Sequence, residues 1–213
     1  MKTIIYTISM ALLSACAHAQ TMQLNGYAGY VFDDKFDTYY SSTEYLEGKI
    51  KGGLMWGAGF EVRLKNYYGA ELIYLRQDTE APVSFYRNGV ASRTIDLGVN
   101  FIMLGGVRYM TVSSGKVEPF GGLMLGIATY NNKNPVDTDL TSMTKFAWGA
   151  RLGTNVWMSE RIGIRLQAYI LSAVQSAGGG FYIGTGGAGT GVSSYSTIFQ
   201  FGLGGGLVLK LKT

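Results

Sequence analysis

Cysteine and histidine are nearly missing from this 213-residue chain, which carries one of each, Cys16 and His18. Both lie ahead of Gln20, which an export-signal reading makes the first residue of the mature protein, so the mature chain is expected to contain neither. That excludes disulfides, thiolate zinc sites and cysteine nucleophiles. It equally excludes histidine-dependent triads and dyads, so no catalytic residue and no enzymatic role are expected. Proline occurs only three times and charged residues make up 15% of the chain. The net charge of +4 comes without a basic run, so no nucleic-acid partner is expected. Long apolar runs are lacking too: nothing after the leader approaches the roughly 20 continuous apolar residues of a spanning helix.

What is present leans towards sheet. There are 31 glycines, 15 tyrosines and 10 phenylalanines, and apolar residues recur at alternate positions rather than at helical spacing. The start reads as an export signal: Lys2 supplies a positive charge, Ile4 to Leu13 an apolar stretch, and Ala17-His18-Ala19 a small-x-small cleavage site. The domain organisation expected is therefore residues 1–19 as signal peptide and 20–213 as one domain. Leu13-Ser14-Ala15-Cys16 also resembles a lipobox, in which Cys16 would be lipidated and become the first residue.

Eight segments alternate with period two: Met22–Phe32, Gly53–Lys65, Tyr68–Asp78, Arg93–Met110, Val117–Tyr130, Thr144–Met158, Ile162–Gln175 and Tyr195–Lys212. Most reach the 9–11 residues that a tilted strand needs to cross a bilayer. Their connections alternate in length. Tight turns fall at Asn66, at Ser113 to Lys116 and at Ser159 to Arg161, and long loops at Asp33–Gly52, Thr79–Ser92, Asn131–Met143 and Ser176–Ser194. Short turns on one side and long loops on the other describe an up-and-down transmembrane barrel, turns periplasmic and loops extracellular.

The alternation also sorts polarity. In the second segment Leu54, Trp56, Ala58, Phe60, Val62 and Leu64 oppose Gly57, Gly59, Glu61, Arg63 and Lys65. In the fourth, Ile95, Leu97, Val99, Phe101, Met103, Val107 and Tyr109 oppose Asp96, Gly98, Asn100, Gly106 and Arg108. In the sixth to eighth segments Arg151, Arg165 and Lys210 fall opposite the apolar phase. A cation facing lipid at the bilayer midplane costs about 2–4 kcal/mol, so the apolar phase is assigned to lipid and the polar phase to the lumen. The expected lumen network is Glu61, Arg63, Lys65, Glu71, Asp96, Arg108, Glu118, Arg151, Arg165 and Lys210. The expected aromatic girdle is Trp56, Tyr68, Tyr74, Tyr109, Trp148 and Phe199, with Phe32 alongside. An eight-stranded barrel is only wide enough for side chains, so the network is expected to pair as a plug, with a narrow gated passage as the alternative. Glu61 and Glu71 come close across a turn, next to neutralising cations rather than as an acid–base pair.

Gly184 to Gly189 matches G-x-G-x-x-G but opens no helix, so no dinucleotide site is expected there, and no other cofactor or metal site is indicated. Loop residues Phe36, Tyr39, Tyr40 and Tyr45, with Phe181 and Tyr182, have the tyrosine, serine and glycine composition of adaptable contact surfaces.

Taken with this strand layout, the Pro119-to-Gly126 run and the Gly206-to-Leu211 terminus resemble the small outer-membrane barrels of the OmpA/OmpX/OmpW-like, porin-family group. The resemblance implies an all-β, eight-stranded barrel in the outer membrane of a Gram-negative cell. It also implies outer-membrane lipid as surroundings and insertion by the barrel assembly machinery, which reads the terminal strand. Two functions follow as expectations: a structural or surface-interaction role through the loops, or a narrow porin for small solutes.

Overall fold

A computed structural model describes residues 21–39, 45–64, 67–86, 90–110, 115–133, 142–174, 180–181, 190–191 and 198–212. The expected export signal with Cys16 and His18, the Gly184 to Gly189 run, Lys65, the loop residues Tyr40 and Tyr182, and the turn residues Asn66, Ser113 and Ser114 lie outside the described residues.

The strands in chain order are β1 (Thr21–Val31), β2 (Asp34–Tyr39), β3 (Tyr45–Ile50), β4 (Gly53–Leu64), β5 (Tyr68–Tyr86), β6 (Val90–Tyr109), β7 (Val117–Asn132), β8 (Ser142–Trp157), β9 (Ile162–Val174), β10 (Gly180–Phe181), β11 (Thr190–Gly191) and β12 (Ile198–Lys212). Eight of them form an antiparallel ring in the order β1-β4-β5-β6-β7-β8-β9-β12, closed by β12 pairing back onto β1. No helix occurs among the described residues. The fold is an all-β, up-and-down barrel, and closure leaves no free edge in its wall.

Two expected loops are largely sheet. β5 and β6 stay paired from Tyr68↔Arg108 to Tyr86↔Val90, so most of Thr79–Ser92 is ladder rather than loop. Asp33–Gly52 contains the β2–β3 hairpin, and β3 adds to the outer end of β5 through Tyr45↔Tyr86 to Gly48↔Val83. The ladder therefore runs past the apolar part of the wall, and the charged outward residues Arg76, Asp78 and Glu80 mark where it leaves. At the opposite end the turns are short. Between β8 and β9 the Ser159 hydroxyl accepts from the amides of Arg161 (3.3 Å) and Ile162 (3.0 Å). Gly115, with φ at 65°, takes the left-handed conformation that a side chain would resist.

The outer wall is apolar all round. Leu54, Leu72, Leu104, Leu125, Leu152, Leu166, Leu203 and Leu207 all stand exposed on it. Trp56, Tyr68, Tyr74 and Phe199 face out, as does half-buried Trp148, edge-on to Phe199 at 6.3 Å. In water such a surface would drive aggregation; in lipid it is matched to its solvent.

One strand is phased opposite to expectation. In β6 the inward residues are Val99, Phe101, Met103, Val107 and Tyr109, all buried, while Ile102, Leu104 and Arg108 are exposed. Arg108 is therefore on the outer wall and not in the lumen, and Tyr109 is inside and not in the girdle. Asp96 shares the outward phase of Arg108 and belongs to the wall beyond the belt, not to the lumen. The cause is that β6 is apolar on both faces along Phe101-Ile102-Met103-Leu104, so polarity alone does not choose between them. Arg108 is tolerable outside because it sits at the belt's lower edge, its guanidinium 6.0 Å from the Tyr68 ring, where its head reaches water.

Register gives the height of the belt. Tyr68 pairs with Arg108 at the bottom and Arg76 with Asn100 at the top. At about 3.3 Å per residue this interval is roughly 26 Å along the strand, or about 20 Å along the normal at a tilt of roughly 40°, near the ~25 Å band of such barrels. Leu104 lies midway. Leu104→Arg is expected to destabilise the barrel by about 2–4 kcal/mol, and Arg108→Leu to change it by about 1 kcal/mol or less. Reversible denaturant unfolding in lipid vesicles measures both, and equal losses would displace the belt from this register.

Candidate functional site

The inward phases of the eight strands meet in the lumen, which divides by depth. Towards the short turns it is ionic; towards the long-loop side it is mostly apolar, with Lys145 5.9 Å from the Tyr130 ring centre and buried Gln77 and Gln200 among the apolar side chains.

Two carboxylates anchor the ionic half. Glu61 on β4 and Glu71 on β5 are direct register partners, both completely buried, so two like charges sit side by side. Cations from the far side of the barrel neutralise them. Arg151 on β8 donates to Glu71. Arg165 on β9 lies 3.3 Å from Glu61 and 3.7 Å from Glu71, and is itself 0% exposed. β1 supplies neutral donors: Asn25 Nδ2 donates to Glu61 (3.2 Å) and Glu71 (2.7 Å), and the Tyr27 hydroxyl donates to Glu71. Tyr109 donates to Glu61 at 2.5 Å. Both tyrosine hydroxyls also accept from Arg165, each at 3.0 Å, so they relay between acid and base. Arg165 is completed by Nε donating to Asn155 Oδ1 at 2.8 Å and by the Phe120 ring, 4.6 Å from its guanidinium carbon.

A second pair closes the layer below. Arg63 makes a two-pronged contact with Glu118, both bonds 2.7 Å, and its guanidinium lies 3.7 Å from the Tyr109 ring centre. Turned so that its amide oxygen faces Arg63, Gln23 accepts from Nε at 2.9 Å. Glu118 also accepts from Asn155 (3.2 Å) and Trp157 (3.3 Å). Lys210 sits at the turn-side mouth, its ammonium 3.8 Å from the Trp157 ring centre, lining a shallow concavity of about 500 Å³ with Lys116 and Tyr67. The three carboxylates of this half, Glu61, Glu71 and Glu118, are thus matched by Arg63, Arg151 and Arg165. Buried charge is tolerated only when paired and hydrogen-bonded in this way.

Above the ionic layer Met55, Ile73, Val99, Phe101, Met103 and Leu171 fill the lumen. The polar pair there is Gln200 donating to Gln77 at 3.0 Å. Inward glycines make room for the large side chains: a Cβ at Gly59 would press on the Glu71 carboxylate and the Tyr27 ring, and one at Gly202 on the Tyr169 ring.

Of the residues expected in the lumen, Glu61, Arg63, Glu71, Glu118, Arg151, Arg165 and Lys210 lie on the inner face, whereas Asp96 and Arg108 do not. The neutralising partners of the Glu61–Glu71 pair include Arg151 and Arg165 from across the ring as well as the neighbouring Arg63, which lies 3.8 Å from Glu61 while gripping Glu118. Gln23, Asn25, Tyr27, Tyr109 and Asn155 were not anticipated. The shared phase of Gln23, Asn25 and Tyr27 along β1 is the signal that could have found the first three.

Arg165→Ala removes a cation shared by two carboxylates and is expected to cost about 3–5 kcal/mol. Adding Glu61→Gln, as E61Q/R165A, is expected to return part of that loss, because one uncompensated charge has gone. Unfolding in the same vesicles measures both, and simple additivity of the single losses would show the two residues to be uncoupled.

No protein-family model matches the chain, and no curated protein matches it either. Solved structures do match. The outer membrane protein OprG from Pseudomonas aeruginosa aligns over 92% of this chain and 98% of its own, at 11% identity and a TM-score of 0.62. Neisserial surface protein A aligns over 89% and 97%, at 13% identity and a TM-score of 0.59. The outer membrane protease OmpT from Escherichia coli aligns over 91% and 97%, at 9% identity and a TM-score of 0.52. A shared architecture that includes a protease speaks to fold and not to activity. By fold, then, the chain is a small eight-stranded β-barrel, similar in architecture to these outer-membrane proteins.

Proposed function

We propose that the protein is exported by its leader, inserted into the outer membrane of a Gram-negative cell by the barrel assembly machinery, and acts there through its extramembrane surface rather than by passing solutes or by catalysis. The observation that carries this reading is the lumen. Its lower half is occupied by mutually neutralised ion pairs and its upper half by buried Met55, Ile73, Phe101 and Met103. Ions entering from above would meet a largely apolar constriction, which disfavours them by dewetting, and then a paired guanidinium–carboxylate lattice. The other support lies outside the belt, where β2, β3 and the ends of β5 and β6 form one continuous sheet. From Arg76 to Tyr86 that sheet rises roughly 30 Å along the strand, enough surface to meet another molecule.

Single-channel recording in planar bilayers separates this reading from a narrow porin. The wild-type protein is expected to be silent at voltages where porins conduct. Reproducible steps whose ion preference shifts in R151Q, but not in R108Q on the outer wall, would establish a passage and overturn the proposal. The complementary expectation is that replacing residues 34–50 by a short Gly-Ser link preserves the heat-dependent gel shift of the folded barrel while abolishing adhesion of cells that display it.

A further inference from the structure

Charge at the turn-side mouth of the lumen does not cancel. Arg63 and Glu118 neutralise each other there, and Glu118 is further engaged by Asn155 and Trp157. Lys210 is left over. Its ammonium packs 3.8 Å from the Trp157 ring centre, and no carboxylate among the described residues forms an ion pair with it. Lys116 borders the same concavity of about 500 Å³, stands exposed, and is equally without an ion-pair partner among the described residues. The remaining charged group on the lining is Glu160, exposed in the turn between β8 and β9. Two ammoniums therefore stand against one open carboxylate.

The same mouth has an apolar side. Tyr67, Met110 and Met158 line it and are 51%, 54% and 60% exposed. All three lie past the lower edge of the belt, which the Tyr68↔Arg108 pair and the end of β8 mark, so hydrocarbon does not cover them. Bare apolar side chains grouped around a concavity are a mark of a contact surface. Bilayer lipid is not the occupant, because Tyr109, Glu118, Trp157 and Lys210 belong to the inward phase and the concavity opens on the barrel axis. A volume of this size is in the range that holds a small ligand or the end of a chain.

We propose that the turn-side mouth captures the free carboxyl end of a peptide whose last side chain is apolar. Lys210 and Lys116 hold the terminal carboxylate, Tyr67, Met110 and Met158 cover the side chain, and Glu160 accepts from a backbone N–H of the peptide. A peptide end fits both signs of charge on the lining, whereas a fatty acid has no N–H to offer Glu160. That this end faces the periplasm rests on the orientation proposed above; the binding itself does not.

The test uses the mature barrel in nanodiscs, open to the probe on both sides, and fluorescence anisotropy of a fluorescein-labelled pentapeptide ending in phenylalanine. Wild type is expected to bind it, and to bind the C-terminal amide roughly tenfold more weakly, as loss of charge-assisted hydrogen bonds implies. The same peptide ending in glycine is expected to lose roughly tenfold through the missing apolar contact. K116M/K210M is expected to bind the free acid no better than wild type binds the amide, while keeping the heat-dependent gel shift. Lys116→Met alone, at an exposed position, is expected to fold and to lose part of the affinity, and R108Q on the outer wall to lose none. Equal affinity for acid and amide, equal binding by wild type and K116M/K210M, or an equal loss in R108Q would overturn the proposal. So would displacement of the peptide by equimolar laurate, which would make the mouth a site for free acids rather than peptide ends.

Discussion

A charge inside an eight-stranded barrel has no water channel to retreat to and no room to turn away, so it must find its opposite across the axis. That constraint organises the molecule. Glu61 and Glu71 are forced together by the β4–β5 register, and guanidiniums that reach from β8 and β9 neutralise them, with Arg63 on β4 adding a longer contact to Glu61. The neutral donors Asn25, Tyr27 and Tyr109 then spread the remaining hydrogen bonds, and the inward glycines are where the wall gives way to make the reach possible. The outer wall is the complement of the same rule. Every ionic group accommodated inside, or above and below the belt, is one that lipid does not have to meet.

The interior was legible in the sequence only where the two faces of a strand differ in polarity. Along β4, β8, β9 and β12 an ionic phase opposes an apolar one, and the inward set follows from alternation alone. β6 defeats that rule because the lumen is not ionic throughout. Near the long-loop side it is packed with Val99, Phe101 and Met103, so inside and outside have similar character there and the charges at Asp96 and Arg108 point to the wrong face. A side chain at the belt's rim obeys the headgroup region rather than the midplane, and a one-dimensional pattern carries no depth coordinate until register supplies one.

Pairing across the axis was illegible for a related reason. Proximity in sequence favoured Arg63 as a partner of the glutamates, and it does reach Glu61 at 3.8 Å, but the shorter contacts to the pair come through the lumen from Arg151 and Arg165. The same holds for the extramembrane sheet. Thr79–Ser92 reads as loop because its polarity no longer alternates against lipid, yet hydrogen-bonded pairing does not require a lipid face to continue.

The ion pairs tie together parts of the chain that are synthesised far apart: Arg151 to Glu71 spans 80 residues, Arg165 to Glu61 spans 104, and Arg165 to Tyr27 spans 138. A partly assembled sheet therefore carries its glutamates and arginines unmatched and still hydrated. Such a half-cylinder resists entry into hydrocarbon, and the penalty lifts only when the first and last strands meet. Ring closure and desolvation of these charges are therefore coupled: the plug that fills the finished cylinder is complete only when the ring is.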